Sequence, residues 1–317
     1  MNLPVTWKKT AAAIGLMFIA VYPIIWGNSY IMHIFILFFI WAIVAANWDL
    51  AMGYAGISTL GNVAFLMTGA YTSGILSKLC GWSPWLTIFL GGLSSTAIIT
   101  VFIGLPSLRL RGIYIALLSM MFASALPPVL TSFQHFTGGA MGLADIPPLL
   151  PGLTRIKTYY LYFGLFLLMT FLVHRVIRSS TGLAFVALRD AKDMAKALGV
   201  DEYREKLKVF GLTSFMTGIA GGFYAHYLGD ISPATLGMGP FLLAIAMMEL
   251  GGMARFPGAI LGAAALVFGN EYLRVAGMLR FTLLGALICL TILFFPGGLM
   301  ELIDRMDALL KRRHRSA

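Results

Sequence analysis

Residues able to do chemistry are few and unevenly spread. Eleven of the thirty-six charged residues in this 317-residue chain crowd into twenty positions: Arg189, Asp190, Lys192, Asp193, Lys196, Asp201, Glu202, Arg204, Glu205, Lys206 and Lys208. The histidines, His33, His135, His174, His226 and His314, form no pair at metal-ligand spacing. No Gly-x-Ser-x-Gly nucleophile motif occurs, and no Gly-x-x-x-x-Gly-Lys-Ser/Thr phosphate loop. The sequence therefore offers no catalytic residue, no metal site and no resident cofactor. The chain thus carries no nucleotide-binding loop of its own. A second polar group lies in GYAGISTLGN, residues 53–62, where Gly53, Gly56 and Gly61 alternate with Tyr54, Ser58, Thr59 and Asn62. Small residues let helices approach closely, and broken helices expose backbone groups to a zwitterionic solute. This stretch reads either as tight packing or as the lining of a path, with Asn62 the preferred path residue. Glu249, six residues before Arg255, reads as a structural ion pair or a group reaching for the membrane surface.

The elements that must position these groups are set by composition. Hydrophobic residues make up 59% of the chain and charged ones 11%, with a mean hydropathy of +0.86. Soluble domains carry about 25% charged residues. The chain is expected to be an all-α, polytopic integral membrane bundle, one transmembrane domain over 1–317. Ten apolar runs are legible, at about 10–27, 30–48, 58–79, 84–104, 112–130, 158–177, 206–228, 239–254, 257–273 and 281–297. A straight span needs about 20 residues. The short, Gly-rich 239–254 and 257–273 pieces are candidates for re-entrant segments, and the glycines before 58–79 suggest a break there. Two distant cysteines, Cys80 and Cys289, give no disulfide framework.

Charge sets the expected orientation. With the N-terminus inside, eighteen of the twenty-three basic residues are cytoplasmic and five, Lys78, Arg155, Lys157, Arg274 and Arg280, are external. Both termini are then cytoplasmic. The net charge of +10 is an orientation signal rather than a nucleic-acid footprint, and the KRRHR tail at 311–315 is placed to touch anionic lipid. The Pro-rich loop 131–157 is external, ordered and irregular.

The charged interval is long enough to fold. Leu188, Ala191, Ala195 and Leu198 fall at helical spacing, so 187–199 is expected to be a short amphipathic helix. Gly199 suits its C-terminal cap, and Asp201 can cap the next helix with Glu202 and Glu205 near its positive end. Such a helix either joins two spans as a solvated loop or offers its apolar stripe to a partner at the membrane surface.

The string ALRDAKDMAKALGV, followed by REKLKVFGLTSFMTGIAGGFYA, resembles the cytoplasmic coupling loop of ABC importer permeases. Within these it is most similar to the LivM-like permeases of branched-chain amino-acid importers. GYAGISTLGNVAFLMTGAYTSGIL (53–76), FTGGAMGL (136–143) and SPATLGMGPFLLAIAMMELGGMARFPGAILGAA (232–264) resemble further segments of that family, in the same order. The family usually has an apolar residue where Glu249 stands, which separates Glu249 from any shared substrate site.

The resemblance implies a permease subunit in a bacterial inner membrane, carrying leucine, isoleucine or valine. It implies two ATPase subunits docked on the coupling loop (179–206), with Leu188, Arg189, Asp190, Ala191, Ala195, Leu198 and Gly199 at the contact. It implies a second, related permease subunit and an external or periplasmic binding protein. The candidate path residues are Gly53, Tyr54, Gly56, Ser58 and Asn62. Urea or short amides are the alternative cargo within the broader family. A self-sufficient secondary transporter or channel is the rival class. It would need carboxylates deep in the membrane, whereas Asp49, Glu249 and Glu271 lie near segment ends.

Overall fold

A computed structural model of the chain describes residues 6–25, 27–110, 112–277, 279–294 and 297–305. Among them there are helices and no strand; one isolated antiparallel bridge joins Leu143 to Ile231. The helices are α1 (Thr6–Ile25), α2 (Ser29–Asp49), α3 (Asn62–Cys80), α4 (Pro84–Ile99), α5 (Ile113–Ser132) and α6 (Arg155–Ile177). After these come α7 (Ser180–Asp190), α8 (Lys192–Ala197), α9 (Glu202–Leu228), α10 (Met238–Gly251), α11 (Gly258–Tyr272) and α12 (Leu279–Phe294). Wide, π-type turns extend α2 through Leu50–Tyr54 and α4 through Thr100–Gly104.

Small residues bring α3, α4 and α9 together. A methyl group added at Gly69 would strike the backbone of Gly218, and one at Gly218 would lie 2.6 Å from Ser95 Cβ. Close backbone approach of this kind gives dispersion contact where the lipid supplies no hydrophobic drive. Side chains take over beside this trio. Phe35, Phe38 and Phe39 of α2 interleave with Tyr159, Phe163 and Phe166 of α6 and with Phe268 of α11. Tyr159 and Tyr160 donate hydroxyl hydrogen bonds to the Ile19 and Ala20 carbonyls, at 2.7 and 2.8 Å, which fastens α1 to α6.

Each of the ten apolar runs lies on a helix over most of its described residues, as α1–α6 and α9–α12. The expected count of about ten crossings is not reached on length and composition. Among the described residues six helices are long and apolar enough: Ser29–Tyr54, Asn62–Cys80, Pro84–Ser107, Ile113–Ser132, Arg155–Ile177 and Pro233–Gly251. The others fall short for different reasons. The apolar part of α1 is Ile14–Ile25, and α11 and α12 have 15 and 16 residues. α9 has 27 residues, but its inner faces carry Thr213, Ser214, Thr217, Gly218, Gly221 and Gly222, all buried. A helix surrounded by protein need not be apolar, so hydropathy under-reads it. α10 and α11 pack as a hairpin whose close approach is set by Gly251, Gly258 and Gly262.

The two ends of the bundle keep separate charge sets. At one end Lys78 donates to the Ala144 carbonyl at 2.7 Å, Arg155 reaches Ser29, and Arg274 pairs with Glu271 at 3.1 Å. At the other lie Arg189, Lys192, Lys196, Lys206 and Lys208, each in an ion pair. The loop expected to be ordered and irregular is so: His226 Nδ1 lies 2.7 Å from the Pro147 carbonyl oxygen, and a one-turn helix covers Gln134–Thr137. The basic tail 311–315 falls outside the described residues.

Candidate functional site

The Gly-rich stretch breaks the membrane helix. Past Asp49 the chain makes the wide turn Leu50–Tyr54, reverses at Ala55 and Gly56, and runs non-helically to Gly61 before α3 starts at Asn62. Non-helical backbone at membrane depth must have its polar groups satisfied. Trp48 Nε1 donates to the Thr59 carbonyl at 2.8 Å, and the Leu60 N–H donates to Ser119 Oγ at 2.8 Å. Gly56 carries the turn at φ +65°, a value that suits a residue without Cβ.

The charged interval arrives at this break. Arg189, near the end of α7, donates from Nη1 to the Gly53 carbonyl at 2.6 Å. Its other donors engage Asp190 in a fork, at 2.7 and 3.1 Å. That hydrogen bond raises the guanidinium pKa and draws the exposed Asp190 carboxyl below its ordinary value. The stem of Arg189 lies across Gly56 so closely that a Cβ there would sit 2.5 Å from Arg189 Cγ. Gly56, Ser58, Leu188, Arg189 and Phe185 line a cleft of about 170 Å³ between the two segments. The sequence treats the loop and the Gly-rich stretch as separate sites; in the fold they touch.

A third segment joins them. Asp49 Oδ1 accepts the Ala254 N–H at 2.7 Å, and Tyr54 Oη accepts the Phe256 N–H at 2.9 Å. The turn between α10 and α11 is therefore held by the end of α2. Gly53 is squeezed between Asp49 and Ala254, its absent Cβ position 2.7 Å from the Ala254 nitrogen. Neither Asp49 nor the 254–256 turn stands out in the sequence as a partner of this stretch, because the pairing spans about two hundred residues.

Several expected placements need correction. The 187–199 stretch is not one helix: α7 ends at Asp190, Ala191 takes φ −144° and ψ 64°, and α8 starts at Lys192. Asp190 is therefore the last residue of α7. The stripe is divided too. Ala195 faces inward and is buried, Leu188 lines the cleft, and Ala191 is exposed. The outward apolar groups are Leu198, 80% exposed, and Met194, 68% exposed. Gly199 does take the left-handed conformation at φ +87°, and Asp201 does cap α9, accepting from the N–H groups of Tyr203 and Arg204. Asn62 lies apart from the cleft, fully buried at the start of α3, with neither amide atom hydrogen-bonded. Arg255 reaches Asp304 at 3.8 Å rather than pairing with Glu249.

Glu202 is the largest surprise. Its two oxygens hold Lys192, Lys196 and Lys206 at 2.7, 2.6 and 2.9 Å, which pins α8 to α9. Burial pushes the carboxyl pKa up, but the hydrogen bonds from the lysines outweigh it and hold it at about 2. Only the i,i+4 pairing with Lys206 was readable from spacing.

The family model described as "Branched-chain amino acid transport system / permease component" matches residues 30–295. The chain is 29% identical over 290 residues to the high-affinity branched-chain amino acid transport system permease protein LivM of Salmonella typhimurium, covering 83% of this chain and 68% of that protein. The LivM protein of Escherichia coli gives the same identity and coverage. A probable branched-chain amino acid transport permease protein LivM of Methanocaldococcus jannaschii is 22% identical over 315 residues, covering 83% of this chain and 91% of that protein. No solved structure matches.

Proposed function

Because the chain belongs to the family of branched-chain amino-acid transport permease components, we propose that it is the membrane subunit of an ATP-driven importer for leucine, isoleucine or valine. An external binding protein delivers the solute, a related permease subunit completes the path, and two ATPase subunits dock on 179–206. The chain performs no covalent step. It alternates its access while ATP turnover on other chains supplies the free energy.

One observation carries this reading: the bond from Arg189 to the Gly53 carbonyl, with the arginine stem seated on Gly56. It joins the loop offered to the ATPase directly to the broken helix. A rigid shift of α7 then acts on the backbone of residues 53–56, and through Asp49 and Tyr54 on the α10–α11 turn. Glu249 and Glu271 lie near helix ends and Asp49 is engaged by the Ala254 N–H, which supports ATP over an ion gradient.

The test is purification of the tagged chain from its native membrane and identification of what comes with it. An ATPase and a second permease are expected. Recovery of a transport-competent chain alone would overturn the reading.

A further inference from the structure

At the end of the bundle that carries the charged loop, a cleft of about 440 Å³ opens between the end of α4 and the start of α9, lined by Arg109, Lys196, Glu202, Tyr203 and Lys206. We propose that this cleft holds the phosphodiester headgroup of an anionic phospholipid.

Three observations point there. First, the charge does not close. Glu202 meets three ammonium groups, from Lys192, Lys196 and Lys206, and Arg109 stands across the cleft with no ion pair among the described residues. In the cleft itself Arg109 and Lys206 face a Glu202 carboxylate already shared with other lysines, which leaves positive charge that a phosphate group can meet. Lys206 has three donors, so its bond to Glu202 leaves N–H groups for a second acceptor. Second, the site is built rather than a scatter of surface charge. Glu202 and Lys206 are largely buried, with side chains 9% and 13% exposed, so their positions are fixed by packing. The Tyr203 hydroxyl adds a donor suited to a phosphate oxygen. Third, the cleft sits where an apolar surface stops. Val101 and Phe102 in the turn extending α4 and Leu105 just past it are 54%, 58% and 49% exposed, and Ile113 and Tyr114 at the head of α5 are exposed beside them. In a chain that crosses a bilayer such side chains face acyl chains. The charged residues immediately beyond them stand at headgroup depth, where basic pockets between helices take anionic lipid. The inference rests on the membrane reading of these helices and not on the identity of the solute.

The probe is phosphatidylglycerol. The full-length chain, with whatever partners co-purify, is placed in phosphatidylcholine nanodiscs carrying graded fractions of phosphatidylglycerol. Retained lipid is counted by native mass spectrometry after mild detergent washing. Arg109→Gln alone should raise the half-saturating fraction about fivefold, and Arg109→Gln with Lys206→Gln about 30-fold, from the typical contribution of each basic residue near the surface. Arg175→Gln with Arg178→Gln, removing two charges at the end of α6 outside the cleft, should leave retention near that of the wild type. Charge-conserving Arg109→Lys should retain lipid, and excess inorganic phosphate should not displace it. Equal retention in wild type and Arg109→Gln would overturn the proposal, as expected if a partner protein covers the cleft. So would equal losses in both double variants, or full displacement by inorganic phosphate.

Discussion

At the scale of single residues, the arrangement turns on which side chain meets which backbone group. Arg189 and Asp190 are adjacent in sequence and unlike in role. Asp190 is exposed and orients the guanidinium, whereas Arg189 spends a further donor on the Gly53 carbonyl. Lysine would not replace it well: it has donors enough, but not the rigid fork that holds Asp190 at two points while Nη1 reaches the Gly53 carbonyl. Asn62 poses the opposite case. It is fully buried with both amide atoms unbonded. An unsatisfied buried polar group costs about 1–3 kcal/mol, so Asn62→Leu should leave stability unchanged or raised. If a passing solute is what meets the amide, the same variant loses uptake. Uptake of labelled leucine per inserted molecule, measured beside the thermal unfolding midpoint, separates the two. Normal uptake would make Asn62 a packing residue. The glycines and small polar groups of 53–62 were legible because a broken helix needs them locally. Their partners Arg189, Ala254 and Phe256 were not, since no spacing rule links residues so far apart in the chain.

At the scale of elements, α7 and α8 form a bent pair instead of a single rod. Helical periodicity holds across 187–199, yet Ala191 breaks the backbone because tertiary contacts compete with local pattern. Glu202 draws Lys192 and Lys196 toward α9 and Ala195 turns inward. The Glu202 carboxyl is held at about 2 against an ordinary value of 4.5. A depressed carboxyl stabilises the fold above its unfolded pKa, and that contribution is lost as pH falls from about 4.5 through about 2. Glu202→Gln should therefore cost about 1.5–3 kcal/mol at neutral pH, the usual worth of hydrogen bonds to a charged group. The gap to wild type should close on acidification toward pH 2. Unfolding of both proteins in detergent across that range checks the sign; a gap that is constant with pH would show that the cluster adds no charge-dependent stability. The sequence placed the caps at Gly199 and Asp201 correctly because capping is a local matter.

At the scale of the whole molecule, composition was enough to give an all-helical membrane chain and to place every apolar run on a helix. It was not enough to say how many cross. α9 is the instructive case: its small and polar inner residues lower its hydropathy although it lies among α2, α3 and α4. Hydropathy reports exposure to lipid, and a central helix has little. The charge split, eighteen basic residues against five, is the ground for proposing that the loop end faces the cytoplasm. A tag fused after Ala317 should then be protected from a reagent that cannot cross the inner membrane; labelling of that tag in intact spheroplasts would invert the orientation.

In the proposed importer the loop drives the broken helix through Arg189. The most direct measurement of this is paired: solute uptake and ATP hydrolysis in vesicles holding the assembled importer, wild type against Arg189→Ala with Asp190→Ala. Membrane insertion should stay near normal, because Asp190 is exposed and Arg189 contributes one backbone contact. Uptake per inserted molecule should fall about tenfold or more, matching the loss of a charged hydrogen bond worth about 1.5–3 kcal/mol, while hydrolysis continues. Uptake equal to wild type per molecule inserted would contradict the claim and return both charges to a solvated surface.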